Sequence, residues 1–252
     1  MGKIIAVANQ KGGVGKTTTS VNLAAALALS GKRTMLIDCD PQSNATSGLG
    51  VDQDKIEKSM YDVLVDGCPV RDVVVKTDYC DVLPASIQLA GAEIGIVNYS
   101  EREKLLKKAL ASVIFDYDFI VIDCPPSLGL LTLNALVACD SVLIPLQCEY
   151  YALEGLSQLM NTVRTVKNTI NPDIELEGIL LTMYDSRTNL SAQVCTEVKR
   201  HFGKSVMPMV VPRNVRLSEA PSHGMPVTHY DRSSKGSKCY IKAAEYIIAR
   251  NA

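Results

Sequence analysis

Short apolar runs alternate along the chain with longer segments in which apolar residues recur at helical spacing. The apolar runs predict buried strands at residues 4–8, 34–37, 119–123, 142–146 and 178–182. The segments between them predict helices, the clearest of which cover residues 18–30, 128–138, 153–169 and 190–202. Apolar strands that alternate with helices are typical of a parallel sheet with helices on both faces. The sequence therefore predicts an α/β fold, doubly wound and mostly parallel, as one domain over residues 1–252.

Weaker patterns predict the remaining elements. They are short helices at 56–65 and 70–75, an ordered loop at 45–51, strands at 80–84 and 207–211, and a final helix at 238–250. The segment Ser100–Glu103 has the spacing of a capping box and predicts the start of a further helix. In such a fold we expect the functional site at the carboxyl ends of the strands.

Residues 9–18 lie between the first predicted strand and the first predicted helix and have the features of a phosphate-binding loop. In such loops backbone N–H groups converge on an anion, and the helix dipole adds to their attraction. Lys16 is predicted to reach the β- and γ-phosphates, and the Thr17 hydroxyl to bind Mg²⁺. The predicted nucleotide contacts in this loop are Lys11, Gly12, Gly13, Val14, Gly15, Lys16, Thr17 and Thr18. Gln10 replaces the usual first glycine, and Lys11 supplies a second lysine.

Three aspartates stand at the ends of predicted strands, at the edge of the sheet where the phosphate loop also lies. Asp123 follows four apolar residues and is the candidate for holding Mg²⁺, which keeps part of its hydration shell. Asp40 is the candidate for orienting the attacking water, and Asp38 for organising the surroundings of the metal. The predicted metal site is thus Thr17, Asp38 and Asp123.

Composition adds a charge asymmetry to this picture. The net charge is −1, but residues 187–252 hold eleven Lys or Arg against four Asp or Glu, and the rest holds 15 against 23. A basic C-terminal quarter on an acidic body has two interpretations. It is either a surface that binds polyanions or a set of ordinary solvated helix faces. The eight cysteines show no paired spacing, which favours reduced, mostly buried thiols. Reduced thiols predict a cytoplasmic protein, and no signal peptide and no membrane-spanning run is evident.

Several segments resemble the ParA-type partition ATPases. The segment Asp40–Thr46 resembles their first switch region, and Asp123–Gly129 their Walker B and second switch. The segments Gln147–Gly155 and Pro212–Gly224 resemble the Soj branch of chromosomal ParA proteins. The loop with two lysines is the deviant form of the phosphate-binding loop found in the ParA/MinD class. Ser43 departs from the family pattern where glycine is frequent, and Met225 where lysine is frequent.

The resemblance implies a Mg²⁺-dependent ATPase that hydrolyses ATP slowly and forms a homodimer in the ATP state. Lys11 then acts across the dimer interface, Glu149 contacts the partner's nucleotide, and Pro212, Arg213 and Asn214 hold the adenine. The catalytic residues are Lys11, Lys16 and Asp40, and the cofactors are ATP and Mg²⁺. The implied partners are non-specific double-stranded DNA on the nucleoid and a ParB-type centromere-binding protein, with no membrane.

Eight residues of the basic quarter are candidates for DNA contacts, and four of them, Arg187, Arg216, Lys199 and Lys242, are the predicted DNA site. Arg187 and Arg216 match positions that the family uses, whereas Lys199 and Lys242 are proposed from charge alone, as are Arg200, Lys204, Lys235 and Lys238. Lys and Arg with few aromatic residues suit contacts with the phosphate backbone.

Three other functions remain open from the sequence. A MinD-like membrane-associated ATPase would need an amphipathic C-terminal helix, whereas the tail here is rich in alanine. An iron–sulfur ATPase would need paired cysteines, and Cys124 has no partner motif. A ligase or amidotransferase on this fold would need a substrate pocket, for which we find no motif.

Overall fold

The strands predicted from the apolar runs pair into one eight-stranded sheet in a computed structural model that describes residues 2–149 and 152–251. The sheet order is β3-β4-β2-β5-β1-β6-β7-β8, and all neighbours are parallel except β3 and β4. The strands are β1 (Lys3–Val7), β2 (Thr34–Asp38), β3 (Val75–Lys76), β4 (Asp81–Leu83), β5 (Phe119–Asp123), β6 (Ser141–Gln147), β7 (Glu175–Tyr184) and β8 (Val206–Pro212). The predicted doubly wound, mostly parallel fold is confirmed.

Helices connect the strands and cover both faces of the sheet. They are α1 (Lys16–Leu29), α2 (Asn44–Gly48), α3 (Met60–Val65), α4 (Ala92–Gly95), α5 (Leu105–Leu110), α6 (Leu130–Ala138), α7 (Ala152–Thr169), α8 (Asn189–Phe202), α9 (Val215–Glu219), α10 (Val227–Tyr230) and α11 (Lys235–Arg250). None of the helices in the described parts of the chain is both long and apolar enough to cross a membrane.

Two separate apolar cores lie on the two faces, because alternate residues of each strand point in opposite directions. On one face, Ile5 and Val7 of β1 pack with apolar residues of α1 and α11. On the other face, Ile4 and Ala6 of the same strand pack with residues of α5, α6, α7 and α8. A hydrogen bond of 3.1 Å between the Thr19 and Tyr240 hydroxyls joins α1 to α11 inside the first core.

The central position of β1 and β5 determines where the site forms. Val7 of β1 and Asp38 of β2 are both register partners of Asp123 in β5, which lies between these two strands. The loop after β1 and the acidic residues at the ends of β2 and β5 therefore meet at one edge of the sheet. This edge is the carboxyl end of the parallel strands, as predicted.

The capping box predicted at Ser100–Glu103 is wrong. Glu101 has a φ of 52° in the left-handed region, and a 3-10 turn over Arg102–Lys104 precedes α5. The N-cap position of this turn falls on Glu101 and not on Ser100, and no side chain caps it.

Other differences concern short elements outside the central sheet. A capping box is present at Ser59, where α3 begins later than predicted, and the helix expected at 70–75 is a 3-10 turn over Val70–Asp72. The ordered loop predicted from residue 45 contains α2, and the edge strand β3 was not predicted. Tyr150 and Tyr151, within the segment that resembles the Soj branch, lie outside the described residues.

The loop between β2 and α2 contains a strained residue. Ser43 has a φ of 48°, a region that costs a residue with a β-carbon roughly 1–2 kcal/mol. Its carbonyl oxygen is fixed by hydrogen bonds from the Ser47 backbone, the Ser47 hydroxyl and the Gln53 amide. Its own side chain makes no capping hydrogen bond to α2. The strain thus lies in the loop that carries Asp40.

We predict that Ser43→Gly stabilises the protein by about 0.5–1 kcal/mol, because glycine adopts a positive φ without steric cost. The melting temperature should rise by about 2–4 °C for each kcal/mol of stability gained in a chain of this size. Ser43→Ala is the matched control, since it removes the same hydroxyl and keeps the β-carbon. An equal rise for both variants would show that strain at Ser43 is not the cause.

Candidate functional site

The loop of residues 8–15 joins β1 to α1 and closes over the first turn of the helix. Gly13 and Gly15 have φ values of 73° and 88°, which residues with a β-carbon rarely adopt. Gly15 immediately precedes α1, and no side chain caps the helix, so its first N–H groups are available to an anion. This geometry matches the phosphate-binding loop predicted from the sequence.

Lys16 is largely buried beneath this loop. Its ammonium donates a hydrogen bond of 3.0 Å to the Lys11 carbonyl oxygen. Burial lowers the pKa of Lys16, while the nearby Asp123, Cys124 and Asp40 act in the opposite direction. A phosphate at the loop would add negative charge close to this ammonium and favour its charged form.

Asp38 and Asp123 are fully buried side by side at the ends of β2 and β5. Asp38 accepts hydrogen bonds from the backbone and hydroxyl of Thr46 at 2.8 and 2.7 Å, and from the Asp40 backbone at 3.1 Å. Asp123 accepts one bond of 2.7 Å from the Ser20 hydroxyl at Oδ1. Burial is the main cause that raises the pKa of both carboxyl groups, and repulsion from Asp38 adds to the rise at Asp123.

The donor set at Asp123 fits a magnesium ion. Its second oxygen, Oδ2, is buried and has no hydrogen-bond partner in residues 2–149 and 152–251. The Thr17 hydroxyl lies close enough to lower the pKa of this carboxyl group. The same residues contain no cluster of three His, Cys, Asp or Glu that could enclose a metal ion. The site therefore suits Mg²⁺, which binds through one or two carboxylates together with phosphates and water.

Two adjoining cavities open at the loop and share Gly15, Thr18 and Met183. One, of about 390 Å³, is lined by Gly12, Gly13, Lys16, Thr17, Asp40 and Pro126, among others. The second, of about 650 Å³, reaches the predicted adenine residues Pro212, Arg213 and Asn214. The structure thus brings the predicted phosphate, water and adenine residues around one continuous cleft.

Lys11 and Glu149 form an ion pair of 2.6 Å within the same chain. Both side chains are about 40% exposed, at 39% and 41%. Glu149 also accepts a hydrogen bond from the Gln147 amide, and the Lys11 backbone is fixed by Asn9 at 3.0 Å. The two residues predicted to act across a dimer interface are therefore paired with each other in this structure.

Sequence reasoning missed several residues that shape the site. The Thr182 hydroxyl donates to the Val14 carbonyl at 2.8 Å and ties β7 to the phosphate loop. Met183 has a φ of 51° and lines both cavities. Ser20 and Thr46 hold the two buried carboxylates. Only Ser20 had a signal in the sequence, because its spacing of four residues from Lys16 places both on one side of α1.

The four residues predicted to contact DNA all lie exposed on the C-terminal part of the chain. Arg187 pairs with Asp185 at 2.7 Å. Arg216 pairs with Glu219 at 2.8 Å and with Asp231 at 3.3 Å. In the part of the chain that the structure describes, Lys199 and Lys242 have no ion pair. The basic surface is thus partly neutralised by acids of its own.

Comparison with known proteins shows which family this chain resembles. The profile of a family described as an AAA domain matches residues 2–176. The sporulation initiation inhibitor protein Soj of Bacillus subtilis is 60% identical over 251 residues, covering 99% of both chains. The chromosome partitioning protein ParA of Myxococcus xanthus is 54% identical and covers 100% of this chain and 89% of its own.

Solved structures agree with the fold. One, titled cobyrinic acid a,c-diamide synthase from Mycobacterium smegmatis with bound ADP and magnesium, is 41% identical with a TM-score of 0.87, covering 99% of this chain and 95% of its own. Another, the cell division ATPase MinD of Pyrococcus furiosus, is 27% identical with a TM-score of 0.83 and full coverage of both chains.

The sheet order, the two-lysine loop and the strand-end aspartates define a P-loop ATPase of the ParA/MinD class. Within that class, the chain belongs to the Soj/ParA family of chromosome-partitioning ATPases. The family resemblance predicted from the sequence is therefore confirmed.

The raised pKa values predict a gain in stability when Asp123 is replaced by asparagine in the metal-free, nucleotide-free protein. An unfolded aspartate has a pKa of about 3.9. Below this pH the carboxyl group is protonated in both the folded and the unfolded protein, so its burial carries no charge penalty. The cost grows as the pH rises from the unfolded pKa to the raised folded pKa, and it is complete above the folded pKa. Asp123→Asn should therefore raise the melting temperature in EDTA at pH 8 and change it little at pH 4.

Thermal melts across this pH range test the prediction. Asp118→Asn is the control, because the exposed Arg33 lowers the pKa of Asp118 and the substitution should destabilise at pH 8. A melting-temperature difference for Asp123→Asn that does not depend on pH would contradict the assigned direction.

Proposed function

We propose that this protein is one Mg²⁺-dependent ATPase domain that dimerises on ATP, binds double-stranded DNA without sequence preference and drives chromosome or plasmid partitioning with a ParB-type activator. Association with the nucleoid follows from the DNA binding. The observation that carries the proposal is the cleft that joins the two-lysine loop, Asp40 and Pro212–Asn214, with Asp123 buried at the end of β5 beside the start of the loop. The names of relatives with 54–60% identity support partitioning over other functions of this fold.

The residues of the cleft divide the work of hydrolysis. The first N–H groups of α1 and the Lys16 ammonium bind the β- and γ-phosphates, for which Lys16 gives up its bond to the Lys11 carbonyl. Thr17 and Asp123 hold the metal, while Asp38 organises its surroundings through Thr46. When bound, Mg²⁺ neutralises charge that develops on the phosphate oxygens. Asp40, which is nearly buried and close to Lys16, orients the attacking water.

Dimerisation requires that the ion pair between Lys11 and Glu149 be exchanged for contacts with the partner. Half-exposed ion pairs contribute little to stability, about 0–1 kcal/mol, so this exchange has a small cost. Lys11 then reaches the nucleotide of the partner, and Glu149 contacts that nucleotide from the other side. ATP shifts the balance to the dimer by mass action, since it binds two subunits together more tightly than one.

Two other functions of the fold receive less support. The C-terminal helix α11 buries Tyr240, Ala243, Ala244 and Ile247 against α1 and the sheet, so its apolar side is not available to a membrane as in a MinD-like protein. The structure titled as a diamide synthase is 41% identical, which is lower than the identity to the partition proteins. We therefore retain partitioning as the proposed function.

We predict that Asp40→Ala lowers ATP turnover about 100-fold while ATP binding and dimerisation persist, because Asp40 is assigned to the water. Phosphate release and size-exclusion chromatography with ATP measure the two effects. Lys16→Ala is the comparison: it removes the main counter-charge of the phosphates and should lose tight ATP binding altogether. An Asp40→Ala protein that still turns over ATP, or stays monomeric, would contradict the assignment.

We predict that Arg216→Glu weakens DNA binding about tenfold in the ATP state and reduces its dependence on salt, because one phosphate contact per subunit is lost. Co-sedimentation with DNA in ATP, ADP and no nucleotide is the measurement, and binding by the parent should require ATP. ATP-driven dimerisation should be unchanged. Arg187→Glu is expected to act in the same direction.

Arg71→Glu is the matched control for this experiment. Arg71 is an exposed arginine on the acidic part of the chain, and its ion pair with Asp116 measures 2.8 Å, like that of Arg216 with Glu219. The control thus breaks a similar ion pair and reverses the same charge elsewhere. If both variants bind DNA equally well, the basic C-terminal surface is not the DNA site.

A further inference from the structure

Ser20 lies on α1 at the point where the helix passes under the end of β5. It follows Lys16 by four residues and Thr17 by three, so all three share one side of the helix. Its hydroxyl is fully buried, 2.7 Å from Asp123 Oδ1 and 3.1 Å from the Lys16 carbonyl oxygen. A hydroxyl has one hydrogen to donate, and the shorter contact with a carboxylate is the stronger one. Ser20 therefore donates to Asp123.

The two buried carboxylates differ in what remains available on them. Asp38 has both oxygens engaged by Thr46 and the Asp40 backbone. Asp123 has Oδ1 engaged by Ser20, and its Oδ2 has no partner within the described residues. Rotation about the terminal bond of an aspartate is soft, so a carboxylate with no fixed oxygen samples many orientations. The Ser20 hydrogen bond removes that freedom.

We propose that Ser20 is a positioning residue for the metal of the nucleotide site: it fixes one oxygen of Asp123 so that the other is held ready as an acceptor. The inference rests on the proposed ATPase function, in which Asp123 and Thr17 hold Mg²⁺. It assigns a role in metal affinity to a side chain that contacts neither nucleotide nor metal. Residues that orient metal ligands in this way typically change metal affinity 10–100-fold when they are removed.

The test uses the full chain and a fluorescent N-methylanthraniloyl derivative of ATP, with Mg²⁺ titrated from EDTA into the millimolar range. Ser20→Ala should raise the Mg²⁺ concentration at half-maximal binding about tenfold. Nucleotide binding in EDTA should be unchanged, because Ser20 does not line the cavities at the phosphate loop. Ser20→Cys keeps the shape of the side chain with a slightly larger atom and offers a weaker donor, so its midpoint should lie between those of parent and Ser20→Ala.

Ser237→Ala is the matched control. Ser237 is an equally buried serine in the first turn of α11, and its hydroxyl has no hydrogen-bond partner in residues 2–149 and 152–251. Its removal should leave the Mg²⁺ midpoint where it is in the parent. Circular dichroism tests whether each variant is folded. If Ser20→Ala is unfolded, the Mg²⁺ titration of Ser20→Cys tests the inference instead.

The outcomes distinguish failure of this inference from failure of the function on which it rests. An unchanged Mg²⁺ midpoint in a folded Ser20 variant overturns the inference and leaves the ATPase proposal intact. Binding that falls equally in EDTA and in Mg²⁺ also overturns it, since Ser20 would then support only the helix. A parent protein that does not bind the nucleotide, or binds it without regard to Mg²⁺, overturns the metal site and the inference together.

Discussion

The pairing of β2 with β5 places two aspartates next to each other in a site from which water is largely excluded. Asp38 and Asp123 are register partners, so neither can move away without breaking the sheet. Burial of like charges is unfavourable, and the raised pKa values of both groups are its signature. The surrounding hydrogen bonds from Thr46 and Ser20 offset only part of this cost. A cation beside the two carboxylates would offset much of the remaining cost, so the site would be more stable with a metal ion bound than without one.

Several of the cations proposed to meet a phosphate are held by acceptors of the same chain. Lys16 donates to the Lys11 carbonyl, Lys11 pairs with Glu149, and Arg216 pairs with Glu219 and Asp231. Exposed ion pairs such as those of Lys11 and Arg216 contribute at most about 1 kcal/mol, so a negatively charged phosphate displaces the internal partner easily. The internal partners also reduce the attraction of the lone subunit for unrelated polyanions. For Lys16, Lys11 and Arg216, the proposed binding to nucleotide and to DNA would thus be an exchange of partners.

The central sheet and the nucleotide loop were predictable because their signals are local. Apolar runs mark β1, β2, β5, β6 and β7, and the loop lysines and strand-end aspartates stand beside them in the sequence. The predicted capping box at Ser100 is absent because the backbone of Glu101 turns left-handed, so that Glu101 and not Ser100 occupies the N-cap position before α5. The positions of Thr182 and Met183 in the site depend on contacts between distant segments, since both meet the phosphate loop from β7. No local pattern records such contacts, since they arise only after the sheet has formed.

The hydrogen bond between Thr19 and Tyr240 spans 221 residues of sequence. It joins the helix that follows the phosphate loop to α11, the last helix described. During synthesis, α1 therefore leaves the ribosome long before the surface on which it packs exists. Its apolar side, with Leu23 and Leu27, remains without its native cover until residues 235–250 have emerged. A nascent chain can thus carry the complete loop sequence while the helix that follows the loop still lacks one of the elements on which it packs.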